Sequence, residues 1–239
     1  MQIMSTEKIE ITFIQEPYLY QNKPKGISKR YRTYTQEEGK CRAAIIISNN
    51  TLDAILITQF SEYDTVLLEI HKRSNSFYAA SVYMEYNEHI DTKLQTIEQI
   101  LEFTKVSKLI MAIYSNARST ILHDTTTNNR GRMMEEFIPS KQLYIINEDG
   151  PRRTFQSTRG ESNINLTIVN NQMLPDVTGW EIAEVESPSD HNILKFRINF
   201  EADKFNEGNT AEPKYILKEK QHTKFYNNLL HTISKKNPK

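Results

Sequence analysis

The sequence predicts an α/β protein in which two β-sheets pack face to face with helices on the outside. Three observations predict it. Short runs rich in β-branched and aromatic residues recur over residues 9–84 and again from Leu143 onward. Two stretches between them instead repeat apolar residues at helical spacing. The 239 residues are enough for one large core, and no internal repeat or long low-complexity tract divides them.

The elements follow in order. IEITFIQ (9–15), CRAAIIIS (41–48), DAILITQF (53–60), TVLLEIH (65–71) and FYAASVYM (77–84) are strand sequences, and NKPKG, SNNT and KRSNS are turn chemistry between them. The period then changes. Ile90, Leu94, Ile97 and Leu101 share one helical face, which predicts an amphipathic helix over 88–104. KLIMAI (108–113) is a buried strand. A second helix is predicted over 130–138, with Met133, Met134, Phe137 and Ile138 inward. Strands return at LYIIN, SNINLTIV, GWEIAEV and ILKFRINF, and GPRRTFQSTRG reads as a hairpin or loop. Residues 1–200 form one domain on this reading. Residues 201–239 are a second segment: EADKFNEGNTAEP is a polar linker, and Phe225, Tyr226, Leu229, Leu230 and Ile233 mark one face of a basic amphipathic helix. Seven lysines from Lys214 onward stand against one acid, Glu219. The segment reads as a solvated tail ahead of a nucleic-acid-facing element or a tether to a downstream domain.

Composition excludes some classes. Lys plus Arg, 30, equals Asp plus Glu, 30, so bulk charge neither argues for a nucleic-acid partner nor excludes one. Cys41 is the sole cysteine, which rules out an intrachain disulfide framework. MQIMSTEKIE lacks an apolar stretch of signal-peptide length, and no run reaches the roughly 18 apolar residues of a membrane-spanning helix. The expectation is a soluble intracellular protein. Trp180 reads as core rather than a base-stacking platform, and His71, His89, His123, His222 and His231 read as surface residues without ligand spacing.

Chemistry is expected where apolar strands run into polar loops. LIMAIYSNARST, residues 109–120, is such a junction. Three others carry polar residues at strand ends: Glu16 in FIQEPY, Tyr83 in VYMEY, and Asp190 with His191 in SPSDHN. An oxygen-rich set with one imidazole suits a hard divalent ion beside a phosphate, with the histidine as hydrogen-bond donor or acid/base.

In these blocks the chain resembles the endonuclease/exonuclease/phosphatase superfamily, which includes DNase I. More closely, it looks like the endonuclease domain of non-LTR retrotransposons, especially insect elements that insert into ribosomal or telomeric repeats. The resemblance runs from about residue 9 to 199 and rests on QEPY, SVYMEY, SNARST, NNRGRMMEEFI, LYIINEDGPRRTFQSTRGESNINLTIV and GWEIAEVESPSDHNILKF. It implies a four-layer DNase I-like sandwich that nicks double-stranded DNA to leave a 3′-hydroxyl for reverse transcription. It further implies Mg²⁺ or Mn²⁺ as cofactor, a nuclear location and a reverse transcriptase domain downstream. Residue by residue, Glu16 matches the metal-binding glutamate and Asp190 an aspartate near the metal. Tyr83 and His191 match the phosphate contacts, and Asn116 the asparagine that orients water and phosphate. Arg118, Arg130, Arg132, Arg152, Arg153 and Arg159 are the expected DNA contacts.

Three departures stand out. Tyr114 replaces the aspartate two before Asn116. Asn165 replaces the aspartate that pairs with the histidine. The family's opening strand and helix have no counterpart, because the sequence starts close to the Glu16 strand. A phenol with a pKa of about 10 is a poor base at neutral pH, and an amide cannot stabilise an imidazolium by charge. The expectation is a degraded copy with little or no nicking activity. Two alternatives remain open: a catalytically dead module binding nucleic acid or protein through the same cleft, and a working phosphodiesterase in which Asp124 or Glu85 replaces the lost base.

Overall fold

The computed structural model describes residues 2–36, 40–185 and 187–199, so the linker and helix predicted over 201–239 lie outside the described residues. A short helix α1 (Gln2–Thr6) precedes strand β1 (Ile11–Gln15), the hairpin β2 (Leu19–Tyr20) and β3 (Lys23–Pro24), and strands β4 (Arg32–Tyr34), β5 (Ala43–Ile47), β6 (Asp53–Leu56), β7 (Thr65–Lys72) and β8 (Asn75–Tyr83). Helix α2 (Ile90–Thr104), strand β9 (Leu109–Tyr114), helix α3 (Asn129–Ser140) and strand β10 (Leu143–Ile145) follow. The hairpin β11 (Phe155–Ser157) and β12 (Gly160–Ser162), then β13 (Asn165–Asn170), β14 (Val177–Ile182) and β15 (Leu194–Ile198), complete the order.

Six strands form one sheet in the order β10-β13-β9-β8-β7-β6. All neighbours in it are antiparallel except β8 and β9, which run parallel and are joined by α2 as the crossover. Strand alternation gives this sheet two apolar faces. Leu67, Ala80, Val82, Met111, Ile113, Leu166 and Ile168 meet Ile90, Leu94, Ile97 and Ile100 of α2 and Met134 and Ile138 of α3. Val66, Leu68, Ile70, Phe77, Ile110 and Val169 face the opposite way, onto Ala43, Ile45 and Ile47 of β5. β5 belongs to the sheet β1-β5-β4, and the pair β14-β15 contributes Val177, Phe196 and Ile198 to the same core. Gln15 ties the layers together: its amide nitrogen donates to Ser81 Oγ at 2.8 Å and to the Ala112 carbonyl at 3.1 Å. Among the described residues β1 is laddered on one edge, to β5, and β15 on one edge, to β14. The rings of Phe13 and Phe196 stand 6.3 Å apart between them.

The expected two-sheet α/β sandwich is therefore present, with differences in detail. The strand predicted over 53–60 stops at Leu56 and becomes a 3-10 turn at Thr58–Phe60, where Ser61 Oγ donates back to the Ile57 carbonyl at 3.0 Å. Trp180 is buried and donates its indole N–H to Thr167 Oγ1 at 3.1 Å. Helix α3 is capped by Asn128, whose side chain accepts from Gly131 N at 2.7 Å. Gly131 is required by close approach: a Cβ there would lie 1.8 Å from the Arg118 carbonyl oxygen. That contact presses the start of α3 onto the loop after β9.

Candidate active site

Three adjacent strand ends build the floor of the site. Tyr83 pairs with Tyr114 across the parallel β8–β9 ladder, and Tyr114 pairs with Asn165 across β9–β13. Period-two alternation turns all three side chains to the face where β1 ends at Glu16. The SPSDHN loop closes over them. It docks on β11 through Gln156 N donating to the Asp190 carbonyl and Asn192 N to the Thr154 carbonyl, both at 2.8 Å. His191 thereby packs its ring 5.0 Å from Phe155 and brings Nδ1 to 2.8 Å from Asn165 Oδ1.

Tyr114 fills the centre. Its ring lies edge-on to Tyr83 at 5.2 Å and to His191 at 4.5 Å. Burial, then the negative charge of Glu16, pushes its phenol up to about 12, with the Arg42 guanidinium opposing. Burial lowers the His191 pKa below its ordinary value, against the opposing charge of Asp190. The imidazole is thus neutral at pH 7, and its bond to the Asn165 oxygen assigns the proton to Nδ1 and leaves Nε2 an acceptor. Glu16 and Asn116 both adopt left-handed backbone, with φ of +49° and +52°. Such strain concentrates at functional sites. Asn116 Nδ2 donates to the Met84 carbonyl at 2.9 Å, which anchors the loop to the end of β8.

Sequence reasoning missed Arg42. It sits at the head of β5, where Glu16 N donates to its carbonyl at 2.8 Å. Its Nη2 is 3.3 Å from Glu16 Oε1, its Nη1 is paired with Glu85 Oε2, and its guanidinium carbon lies 4.5 Å from the Tyr83 ring centre. A single arginine opening an otherwise apolar strand was the available signal. This arrangement does not fit the divalent cation that the resemblance implies. Glu16 is engaged by a guanidinium, Asp190 is exposed beside His191, and no three His, Cys, Asp or Glu residues are grouped to hold an ion among the described residues.

The candidate replacement bases are also committed. Glu85 is held by Arg42. Buried Asp124 accepts from Arg118 Nε at 3.0 Å and Nη2 at 2.9 Å, and from Asn163 N at 2.9 Å. Burial opposes its ionisation, but these hydrogen bonds outweigh it and hold the carboxyl below its usual range. Arg118 is therefore a loop anchor here. Arg130 is half-buried near Tyr83 and donates to the Ser115 and Glu88 carbonyls. Arg152 donates to the Ala183 carbonyl and Arg153 to the His123 carbonyl. Arg132 and Arg159 are exposed, the latter on the β11–β12 turn. A further surface escaped the sequence reading. Between Glu16 and Glu37 there is no acid, but five cations and four tyrosines. In the β2–β3 hairpin beside Glu16, Tyr18 and Tyr20 are exposed and the Lys25 ammonium lies 4.8 Å from the Tyr20 ring centre.

A family model described as endonuclease-reverse transcriptase matches residues 77–195. The Pol polyprotein of the type-1 retrotransposable element R1 of Bradysia coprophila is 26% identical over 188 residues, 74% of this chain and 19% of that protein. A putative 115 kDa protein of the element R1DM of Drosophila melanogaster is 23% identical over 190 residues, 76% of this chain and 18% of that protein. The chain thus spans about a fifth of the length of these relatives. Among solved structures, the endonuclease domain of TRAS1, a telomere-specific non-LTR retrotransposon, superposes with a TM-score of 0.73 at 28% identity, covering 83% of this chain and 90% of that one. The AP endonuclease of Leishmania major, at 12% identity and a TM-score of 0.65 over 83% of this chain and 81% of its own, shares the fold.

Proposed function

From a chain that belongs to the endonuclease/exonuclease/phosphatase superfamily, in its retrotransposon endonuclease branch, we infer a domain that binds duplex DNA along this cleft and nicks it far more slowly than an intact relative. One observation carries the reading: the Tyr114 ring is wedged between Tyr83 and His191, in the position where the resemblance puts a carboxylate. Hydrolysis of a phosphodiester requires a water that loses a proton as it attacks phosphorus, and an acid for the departing oxygen. A phenol near 12 cannot take that proton at pH 7, and a neutral imidazole bonded to an amide has no stored proton on Nε2 to give. The contacts that hold DNA are less affected. The acid-free tyrosine hairpin, Arg132 and Arg159 supply exposed cations, and exposed rings offer stacking surface. With R1-type polyproteins as relatives, the same reading extends to a parent protein with a downstream reverse transcriptase, acting on nuclear DNA.

Two assays test it. Duplex binding should weaken steeply between low and moderate salt, as phosphate contacts require. Nicking of supercoiled plasmid with Mg²⁺ or Mn²⁺ should stay orders of magnitude below a typical turnover of about 1 s⁻¹. Turnover at that rate or above overturns the slow-nuclease reading. No duplex affinity at any salt concentration would instead favour a protein-binding module built on the same cleft.

A further inference from the structure

We propose that Arg42 is the resident cation of this cleft: its guanidinium bridges Glu16 and Glu85, and the chain meets with a side chain the charge that would otherwise call in a divalent ion. Two features carry this. First, the position is fixed by the backbone. Arg42 and Glu16 face each other at the ends of paired strands, with Glu16 N bonded to the Arg42 carbonyl. Second, the guanidinium is used on both sides, by Glu16 and by Glu85, and its face is stacked over Tyr83. A planar fork pre-organised by two carboxylates and a ring loses little freedom in staying there.

An incoming Mn²⁺ must therefore displace a permanent charge from each carboxylate or share the space with it. Either way its affinity falls, and removing the guanidinium should restore it. The proposal concerns the cleft assigned above to DNA and rests on that reading for its place. Its test reads metal affinity, so failure here leaves the slow-nuclease reading standing, and failure of that reading leaves this one.

Mn²⁺ binding to the full chain is titrated by electron paramagnetic resonance of the free ion. Arg42→Gln should bind Mn²⁺ about tenfold or more tightly than the parent, the scale expected when a like charge within about 4 Å is removed. Arg42→Gln combined with Glu85→Gln should lose most of that gain. If Arg42→Gln does not fold, Arg42→Met, of similar length and also uncharged, replaces it. A folded, uncharged variant with the parent's Mn²⁺ affinity overturns the proposal, as does a gain that survives removal of Glu85.

Discussion

Restoring carboxylates at positions 114 and 165 together is the most direct probe of the chemistry. Tyr114→Asp removes a ring now in contact with Tyr83 and His191 and leaves an acid at the end of β9. Asn165→Asp sets a carboxylate 2.8 Å from His191 Nδ1, which raises the imidazole pKa and lets Nε2 carry a proton at neutral pH. The magnitudes can be bounded. With its pKa near 12, about one Tyr114 phenol in 10⁵ is ionised at pH 7. A positioned acid or base contributes roughly 10²–10⁴ in rate. The amide-for-carboxylate change costs about 10⁴ in the serine-protease triad, which is the standard worked case rather than a value for this chain. Lesions within one unit do not multiply, so the double variant should gain about 10²–10⁴, not the product. Truncating the half-buried ring costs about 3 kcal/mol of stability, the low end for loss of a core aromatic. Plasmid nicking across a Mn²⁺ titration measures the gain, and thermal melting confirms that the variant is folded. A folded double variant that nicks no faster than the parent would refute the reasoning, because the defect would then lie outside these two positions.

Two further outcomes follow from the packing around the site. Gly131→Ala should lower the melting temperature by roughly 5–10 °C, since its Cβ would meet the Arg118 carbonyl oxygen at 1.8 Å and the backbone must shift; a neutral or stabilising result, the norm for glycine to alanine in an open helix, would mean that α3 does not press on this loop. Asp124→Asn should cost about 2 kcal/mol at pH 7, because the amide keeps one acceptor oxygen and turns its NH2 toward either Arg118 or Asn163 N, and it also loses the charge facing Arg118. Because the Asp124 pKa is lowered in the fold, its contribution is present above the ordinary value of 3.8 and is lost as pH falls through the folded value. Urea unfolding at pH 7 and near pH 3 should therefore show the gap between parent and variant narrowing in acid; a gap of constant size would remove ionisation as its source.

What the sequence made legible follows from range. β7, β8, α2, β9 and β13 are long enough to display a period, and each falls within a few residues of its expected place. β2, β3 and β4 are two or three residues long, too short for any period to appear. The same distinction governs the site. Tyr83, Tyr114 and Asn165 lie at strand ends, and pairing of those strands suffices to bring them together. Arg42 could not be read this way, because its meaning depends on which strand β5 pairs with and on Glu85 arriving from the end of β8. Arg118 and Asp124 show the same dependence on partners. Each is the residue type that a nuclease uses, yet each is satisfied by the other within one loop. Residue type and position thus locate a polar cluster, whereas its charge balance is set by long-range pairing. In this cleft that balance is a guanidinium between two carboxylates, a phenol that stays protonated and an imidazole that stays neutral. On the proposed function, such a surface would hold a phosphate backbone more readily than it would cut it.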